Sequence, residues 1–360
     1  MKGIVKKLAL LAAYVFYSHV GRDTSSLLVV TYHRLSERPD PTDPLKISVS
    51  TFENQIKFLK KKYSVISALD LSEAINGVHP LPKRPCLITF DDGWQDNYTL
   101  GMPVLRKYNV PALIFVSTNY IGTGKAFWHV RLRSIMLSKD ISIAEILDST
   151  DCTLQSELLE RLRVVGQQKI ETRGLLVNEL IENLKKFPVD QIERYVLRLE
   201  DNLASRDVRS DGAMLSWEQI SEMSNNGISF GSHTMSHAIL TGLGEKEVRD
   251  ELVASKRVLE HRLGQSILFF AYPNGDYNEE TMCLTRGAGY EAGFTCKPGL
   301  NINMNRLFEL KRINMREDSA SGFSDAFSSL FYTIELSGSR FHMRNFVRRL
   351  LPARLRKVTA

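Results

Sequence analysis

Residues 86–98 read CLITFDDGWQDNY, and the way this run folds decides the rest of the chain. Cys86, Leu87, Ile88, Thr89 and Phe90 form an apolar, β-favouring segment between Pro85 and Gly93, the pattern of a fully buried strand. The strand ends in two carboxylates, Asp91 and Asp92, and Gly93 then lets the backbone turn sharply. Neighbouring residues leaving a strand point to opposite sides. One aspartate is therefore placed to bind a metal ion while the other stays free to handle a proton. D-D-G is also a common solvated turn, so the reading needs a partner elsewhere in the chain.

That partner is GISFGSHTMSH, residues 227–237. Ile228, Ser229 and Phe230 read as another short strand, followed by His233 and His237, four apart. The spacing predicts one helical turn with both imidazoles on the same face. Neutral imidazole is the commonest protein ligand of zinc-type ions. Two histidines and one aspartate make three protein ligands, the number an open catalytic zinc site uses.

Outward from these two runs, strands and helices alternate. Residues 27–32 (LLVVTY) predict a strand ending at His33, and Phe52, Ile56 and Leu59 form a helical stripe within 51–61. Further strands are expected at 63–67, 112–117, 228–230, 267–271, 293–296 and 310–315, with helices at 98–108, 217–226 and 245–263. This rhythm predicts a parallel α/β architecture of about eight strands. His33, Asp91, Asp92, His233, Pro273 and Arg312 all fall at the C-terminal ends of strands, the rim where an α/β barrel carries its active site. The alternation stops over 127–211, which is poor in Gly and rich in Leu, Glu, Arg and Lys. Residues 158–165 and 175–187 read there as amphipathic helices, in a helical insertion that serves as a substrate lid or as a separate subdomain.

TFDDG followed by SHTMSH resembles the NodB-homology polysaccharide deacetylases, carbohydrate esterase family 4. VVTYHRL (29–35), ISVSTFENQIKFLKK (47–61), LSWEQISEMSNNGISFGSHTMSH (215–237) and FAYPNGDYN (270–278) extend the resemblance over most of 27–316 outside the insertion. The resemblance implies a distorted (β/α) barrel and metal-assisted hydrolysis of an N-acyl group on an amino sugar. It assigns Asp92, His233 and His237 as ligands of a divalent metal, Zn2+ by preference, and Asp91 as the general base. Two departures stand out. The Leu-x-His motif that supplies a general acid in many relatives is missing, and the corresponding stretch reads LKRINM. Tyr32-His33 instead resembles the circularly permuted branch, whose acid histidine follows the first strand, so His33 is the expected acid. The Arg of the Arg-Pro-Pro-Tyr motif is also missing, because Ala271 stands in its place before Tyr272, Pro273, Asn274 and Gly275. Arg312 is expected to supply that charge beside Asp91, and the 272–275 turn to contact substrate, with a backbone N–H near Asn274 facing the developing oxyanion. The same ligand set also suits a deformylase or an O-acetyl esterase. A non-catalytic carbohydrate-binding barrel is a further alternative, against which the retained aspartates and histidines argue.

The formal net charge is +6, and it belongs to the ends of the chain. Residues 1–7 carry three Lys and 338–360 carry seven Lys or Arg, with no acid in either stretch, which leaves 37 basic against 41 acidic residues over 8–337. A nucleic-acid partner needs a basic stripe on the main body, so none is expected. Residues 1–24 combine a basic start with an apolar run too short for a membrane span, and residues 338–360 read as a basic amphipathic tail. These two terminal helices flank a barrel expected over 25–337 and predict attachment to an anionic membrane surface, at the cytoplasmic face or, alternatively, after export to the cell envelope. Membrane-seeking ends favour a lipid-linked saccharide over a polymer as substrate. Cys86, Cys152, Cys283 and Cys296 show no CxxC spacing and read as free thiols.

Overall fold

The computed structural model describes residues 26–40, 42–138, 170–187, 189–202, 212–302, 304–320 and 328–337. The helices expected at 1–24, 158–165 and 338–360 lie outside the described residues.

Eight strands pair in parallel to form the main sheet. In chain order they are β1 (Leu28–Tyr32), β4 (Ser64–Ile66), β5 (Pro85–Phe90), β6 (Ala112–Val116), β7 (Ile228–Ser232), β8 (Phe269–Ala271), β9 (Ala292–Phe294) and β10 (Ile313–Asn314). Each coincides with a strand expected from the sequence. Around the sheet the order is β10-β1-β5-β6-β7-β8-β9, and a parallel bridge from Phe294 to Leu310 joins β9 to the segment leading into β10. β5 is the branch point. One edge pairs with β1 along its whole length, while the other is shared by β4 at its start and β6 at its end. That fork distorts an otherwise regular α/β barrel.

Strand parity sorts the side chains. Leu28, Val30 and Tyr32 of β1 and Cys86, Ile88 and Phe90 of β5 pack against α1 (Val49–Lys62), through Phe52, Ile56 and Leu59. The alternate residues Leu27, Val29, Leu87, Leu113, Phe115, Phe269, Ala271 and Phe294 form a second cluster, closed at one end by Ala68 and Leu71 of α2 (Ala68–Ile75). A period of two along each strand produces this split, and it fixes which residues enter the site. Gly231 sits where β7 faces that interior. A Cβ there would lie 2.6 Å from the Phe115 ring and 2.9 Å from the Phe269 carbonyl oxygen.

Two short strands, β2 (Arg34–Ser36) and β3 (Lys46–Ser48), form a separate parallel pair beyond the end of β1. After α3 (Met102–Tyr108) and β6, the chain leaves the barrel for α4 (Trp128–Leu137), α5 (Ile170–Leu184) and α6 (Val189–Asn202). These helices share a core of their own, in which Trp128, Leu132 and Ile135 meet Val177, Leu180, Ile181, Val196 and Leu199. Barrel helices then return as α7 (Trp217–Asn225), α8 (Glu245–Leu263) and α9 (Glu279–Gly287), and α10 (Ser329–Leu336) packs Tyr332 against Phe58 of α1.

Candidate active site

Parity places Asp91 one step beyond Leu87 and Thr89, on the inward-facing row of β5. Inside the barrel it meets Arg312. The guanidinium donates from Nη1 to Asp91 Oδ1 and from Nη2 to Oδ2, each at 2.7 Å, with both residues buried. Arg312 Nε also donates to the Thr295 carbonyl at 2.9 Å, so its plane is held from two sides. Burial pushes the Asp91 carboxyl up, but the charges of Arg312, His233 and His33 outweigh it and hold the group below its ordinary range.

Asp92 leaves the strand with φ at 79°, a left-handed conformation that turns its carboxylate away from Asp91. Gly93 follows at φ 84°, where a Cβ would stand 2.9 Å from Val116 Cγ1, so the turn requires glycine. Asp92 Oδ2 accepts from the Trp94 indole Nε1 at 2.9 Å. Its Oδ1 lies 3.6 Å from His233 Nε2 and 3.3 Å from His237 Nε2. Asp92 is likewise held below its ordinary range, with burial opposed by the hydrogen bond and charge of His237.

His233 continues the inward row of β7. Its Nδ1 lies 2.7 Å from the Ala271 carbonyl oxygen, which can only accept, so Nδ1 carries the proton and Nε2 keeps a free lone pair. Burial brings its pKa down to about 4, which keeps the ring neutral. His237 reaches the same point by a different route from the one its spacing suggests. Residues 233–237 are not helical; Thr234 and His237 adopt φ of 67° and 58°. The Glu251 carboxylate of α8 folds this loop by accepting from the backbone N–H groups of Met235 at 2.7 Å and Ser236 at 3.1 Å. The helical-turn expectation is corrected accordingly. Phe127 packs on the His237 ring at 4.5 Å between centroids.

The ligand atoms of Asp92, His233 and His237 all lie within 4.8 Å of one another. One carboxylate oxygen and two imidazole nitrogens, with one tautomer fixed by a carbonyl and the second carboxylate oxygen fixed by an indole, match the donors and outer partners that a catalytic zinc-type ion uses. The residues present fit such an ion.

His33 follows β1 with its Nε2 4.0 Å from Asp91 Oδ2. Asn97 Nδ2 donates to the His33 carbonyl at 2.8 Å, and Asp96 accepts from Leu35 N–H at 3.0 Å and from Arg34 Nε at 3.2 Å. Asp96 and Asn97 thus clamp the segment that carries His33. They stand in the same quoted run as the two catalytic candidates, yet nothing in residue type or spacing marks them for this task.

The turn after β8 divides in two. Tyr272 and Pro273 are buried, whereas Asn274 is exposed and Gly275 part-exposed. Parity turns the Tyr272 ring outward against Phe270, away from the cleft. Tyr272 and Pro273 thus pack into the turn, and Asn274 and Gly275 are the part of it open to solvent. Gly275, at φ 77°, lies so close to Cys296 that a Cβ would stand 2.5 Å from the Cys296 Cβ. Trp94 and Trp128 are both buried, so neither presents a face for a sugar ring. His129, which no sequence pattern singles out, lies 5.9 Å from His237 between ring centroids and reaches the site from the insertion.

A parallel barrel with an aspartate pair and two imidazoles at its C-terminal rim is the build of a barrel hydrolase. Comparison with known proteins makes this specific. The polysaccharide deacetylase family model matches residues 79–293, and the chain belongs to that family. It is 23% identical over 292 residues to the Bacillus subtilis protein YxkH, named as a polysaccharide deacetylase, covering 81% of this chain and 72% of YxkH. A shorter match, 31% over 117 residues, links it to the poly-beta-1,6-N-acetyl-D-glucosamine N-deacetylase of Staphylococcus epidermidis, covering 28% of this chain and 39% of that one. Among solved structures, the Streptococcus pyogenes deacetylase PplD, in complex with acetate, shares the fold with a TM-score of 0.55 at 20% identity, over 83% of this chain and 95% of PplD. The protein is accordingly a hydrolase of carbon–nitrogen bonds other than peptide bonds, in a family that is metal-dependent in general and acts on N-acetylated saccharides.

Proposed function

We propose that the protein removes an acetyl group from the nitrogen of an amino sugar, with Asp92, His233 and His237 holding a zinc-type ion. The observation that carries this reading is the split between neighbouring carboxylates. Asp92 faces two imidazole nitrogens, whereas Asp91 is bound through both oxygens to Arg312.

A bound ion of this kind polarises an amide carbonyl and lowers the pKa of water to about 7. Asp91, kept ionised by Arg312, takes the proton of the attacking water. His33, beside Asp91, gives a proton to the departing sugar nitrogen, since an amine leaves readily only once protonated. The exposed turn at Asn274 offers that residue's backbone N–H to the negative oxygen that forms at the carbonyl, while the Gly275 N–H closes the turn on the Tyr272 carbonyl at 2.9 Å.

The Staphylococcus epidermidis relative, named for poly-beta-1,6-N-acetyl-D-glucosamine, supports a β-linked N-acetylglucosamine glycan as the substrate class. The basic ends at 1–7 and 338–360 support work at an anionic membrane surface, on the cytoplasmic face, with a lipid-linked saccharide as substrate. Among the described residues no helix is long and apolar enough to cross a membrane. The test is acetate release from N-acetylglucosamine oligomers by zinc-loaded protein, before and after chelation, beside formyl and O-acetyl analogues. Release that chelator abolishes and zinc restores is the expected result. Turnover indifferent to chelation, or confined to the O-acetyl ester, overturns the proposal.

A further inference from the structure

The helical insertion leaves the barrel after β6 and rejoins it before β7, and its contacts with the rim decide how a glycan can enter. α4 begins at the candidate metal centre, where Phe127 packs on His237 and His129 lies beside it. α5 returns alongside, tied to α4 by a hydrogen bond from Arg133 to Asn178. Early in α5, Gly174 abuts the loop between β2 and β3, where a Cβ would stand 3.5 Å from Thr42 Cβ. Just past the end of α5, Lys185 Nζ donates to Asn274 Oδ1 at 2.7 Å, in the turn after β8. The two contacts are eleven residues apart, about 16 Å at 1.5 Å per residue.

Thr42 belongs to the segment that follows β1, and Asn274 follows β8. Between β1 and β8 the sheet order runs through β5, β6 and β7, the strands that carry both aspartates and both histidines. α4 and α5 therefore run along this arc of the rim, with α5 in contact with it at both ends. α6 braces them from behind, because Arg131 of α4 pairs with Glu193 and Glu200 and all three helices share one apolar core. Among the described residues, the arc free of the wall is that of β9, β10 and β1, where His33 and Arg312 lie.

We propose that the cleft is blind: it takes the terminal amino sugar of a glycan, or one carried on a small or lipid head, and excludes internal residues of a polymer. An internal sugar needs an exit for the chain on both sides, and a terminal one needs a single exit. This rests on the deacetylase reading and narrows its substrate class.

Two measurements on the zinc-loaded full chain test it. The first maps deacetylation of β-1,6-linked N-acetylglucosamine oligomers of one to six units by tandem mass spectrometry. One acetyl lost per chain, from a terminal sugar, with kcat/KM for the hexamer within threefold of the dimer, is expected. Internal deacetylation, or rates that climb tenfold with length, overturns the blind cleft while leaving the deacetylase reading intact. No acyl release from any oligomer or from a lipid-linked N-acetylglucosamine, with zinc bound, removes both. The second locks the wall with Thr42→Cys and Gly174→Cys, whose Cβ separation suits a disulfide. Turnover of the dimer within twofold of the reduced variant shows that the wall need not lift. Loss of turnover that a reductant restores shows that the wall must open, and overturns the proposal.

Discussion

Replacing Arg312 with Met tests the electrostatic argument at the centre of the site. The substitution keeps length and bulk but removes two 2.7 Å hydrogen bonds and the one cation that touches both Asp91 oxygens. Asp91 is 2% exposed, so burial then acts with little opposition and raises its carboxyl pKa. An adjacent opposite charge is worth about 1–3 pKa units to a carboxylate. The acid limb of the kcat/KM profile, set by the proton on Asp91, should move to higher pH. At a pH below the new limb, turnover falls about tenfold for each unit.

Stability supplies an independent readout whose sign is fixed. In the native protein the folded Asp91 pKa lies below its ordinary value of 3.8. The pair's stabilisation is therefore complete above that value and is lost as pH falls through the folded pKa. In the variant the folded pKa lies above the unfolded one, so the penalty is absent at low pH and grows as pH rises through the new value. Breaking a buried pair on one side costs about 3–5 kcal/mol at neutral pH. Denaturant unfolding of the metal-free proteins between pH 4 and pH 7 should show the native and variant curves diverging, by about 1.4 kcal/mol per unit of pKa difference. Parallel curves together with an unmoved acid limb would refute the assignment of Arg312 as the group that keeps Asp91 charged.

Three further outcomes are expected. His33→Asn should lower kcat by about 10²–10⁴, the ordinary contribution of a positioned acid, while zinc affinity measured by titration stays within a few-fold of native. His237→Ala removes one of three ligand atoms, and zinc binding by the same titration should fall by orders of magnitude although the metal-free protein melts close to the native temperature. Gly275→Ala forces a Cβ to within 2.5 Å of Cys296 Cβ at a φ of 77°. Overpacking of this kind costs about 1–3 kcal/mol, readable as an earlier denaturant midpoint, and an unchanged midpoint would mean that the turn relaxes freely.

Most of the strands were legible because β1, β5, β6 and β8 are short apolar runs whose pairing buries both faces, and such runs announce themselves in composition alone. β2 and β3 were not. RLS and KIS contain too few apolar residues to mark a strand, and they pair only because the segment following β1 and the start of α1 lie side by side. The donors of the candidate metal centre were also readable, since D-D-G and the two histidines carry chemistry in their types and spacing. The path that joins them was not: His233 and His237 converge through two left-handed residues and the Glu251 carboxylate, and an i,i+4 spacing says nothing of a helix sixteen residues further on. The side of β8 on which Tyr272 lies was hidden for a simpler reason. The motif that it belongs to locates the turn, but parity along β8 decides which side chains look into the cleft, and it sends Ala271 in and Tyr272 out.

Why two adjacent aspartates do different work follows from counting lone pairs. A carboxylate offers about four acceptor directions. On Asp92 the indole of Trp94 occupies Oδ2, so Oδ1 is left facing two imidazole nitrogens that, once neutral, cannot both donate to it. His233 Nε2, whose ring proton sits on Nδ1, gives Oδ1 no hydrogen bond, so only the His237 ring can donate to it, and a cation held by all three groups would use the lone pair that His233 leaves idle. On Asp91 the guanidinium takes one direction on each oxygen, and the remaining direction on Oδ2 faces the cleft, 4.0 Å from His33. That oxygen has room for a proton, with a neighbouring imidazole to relay it. The left-handed backbone at Asp92 and the glycine after it separate the two environments, which makes the pair a ligand and a base rather than two ligands or two bases.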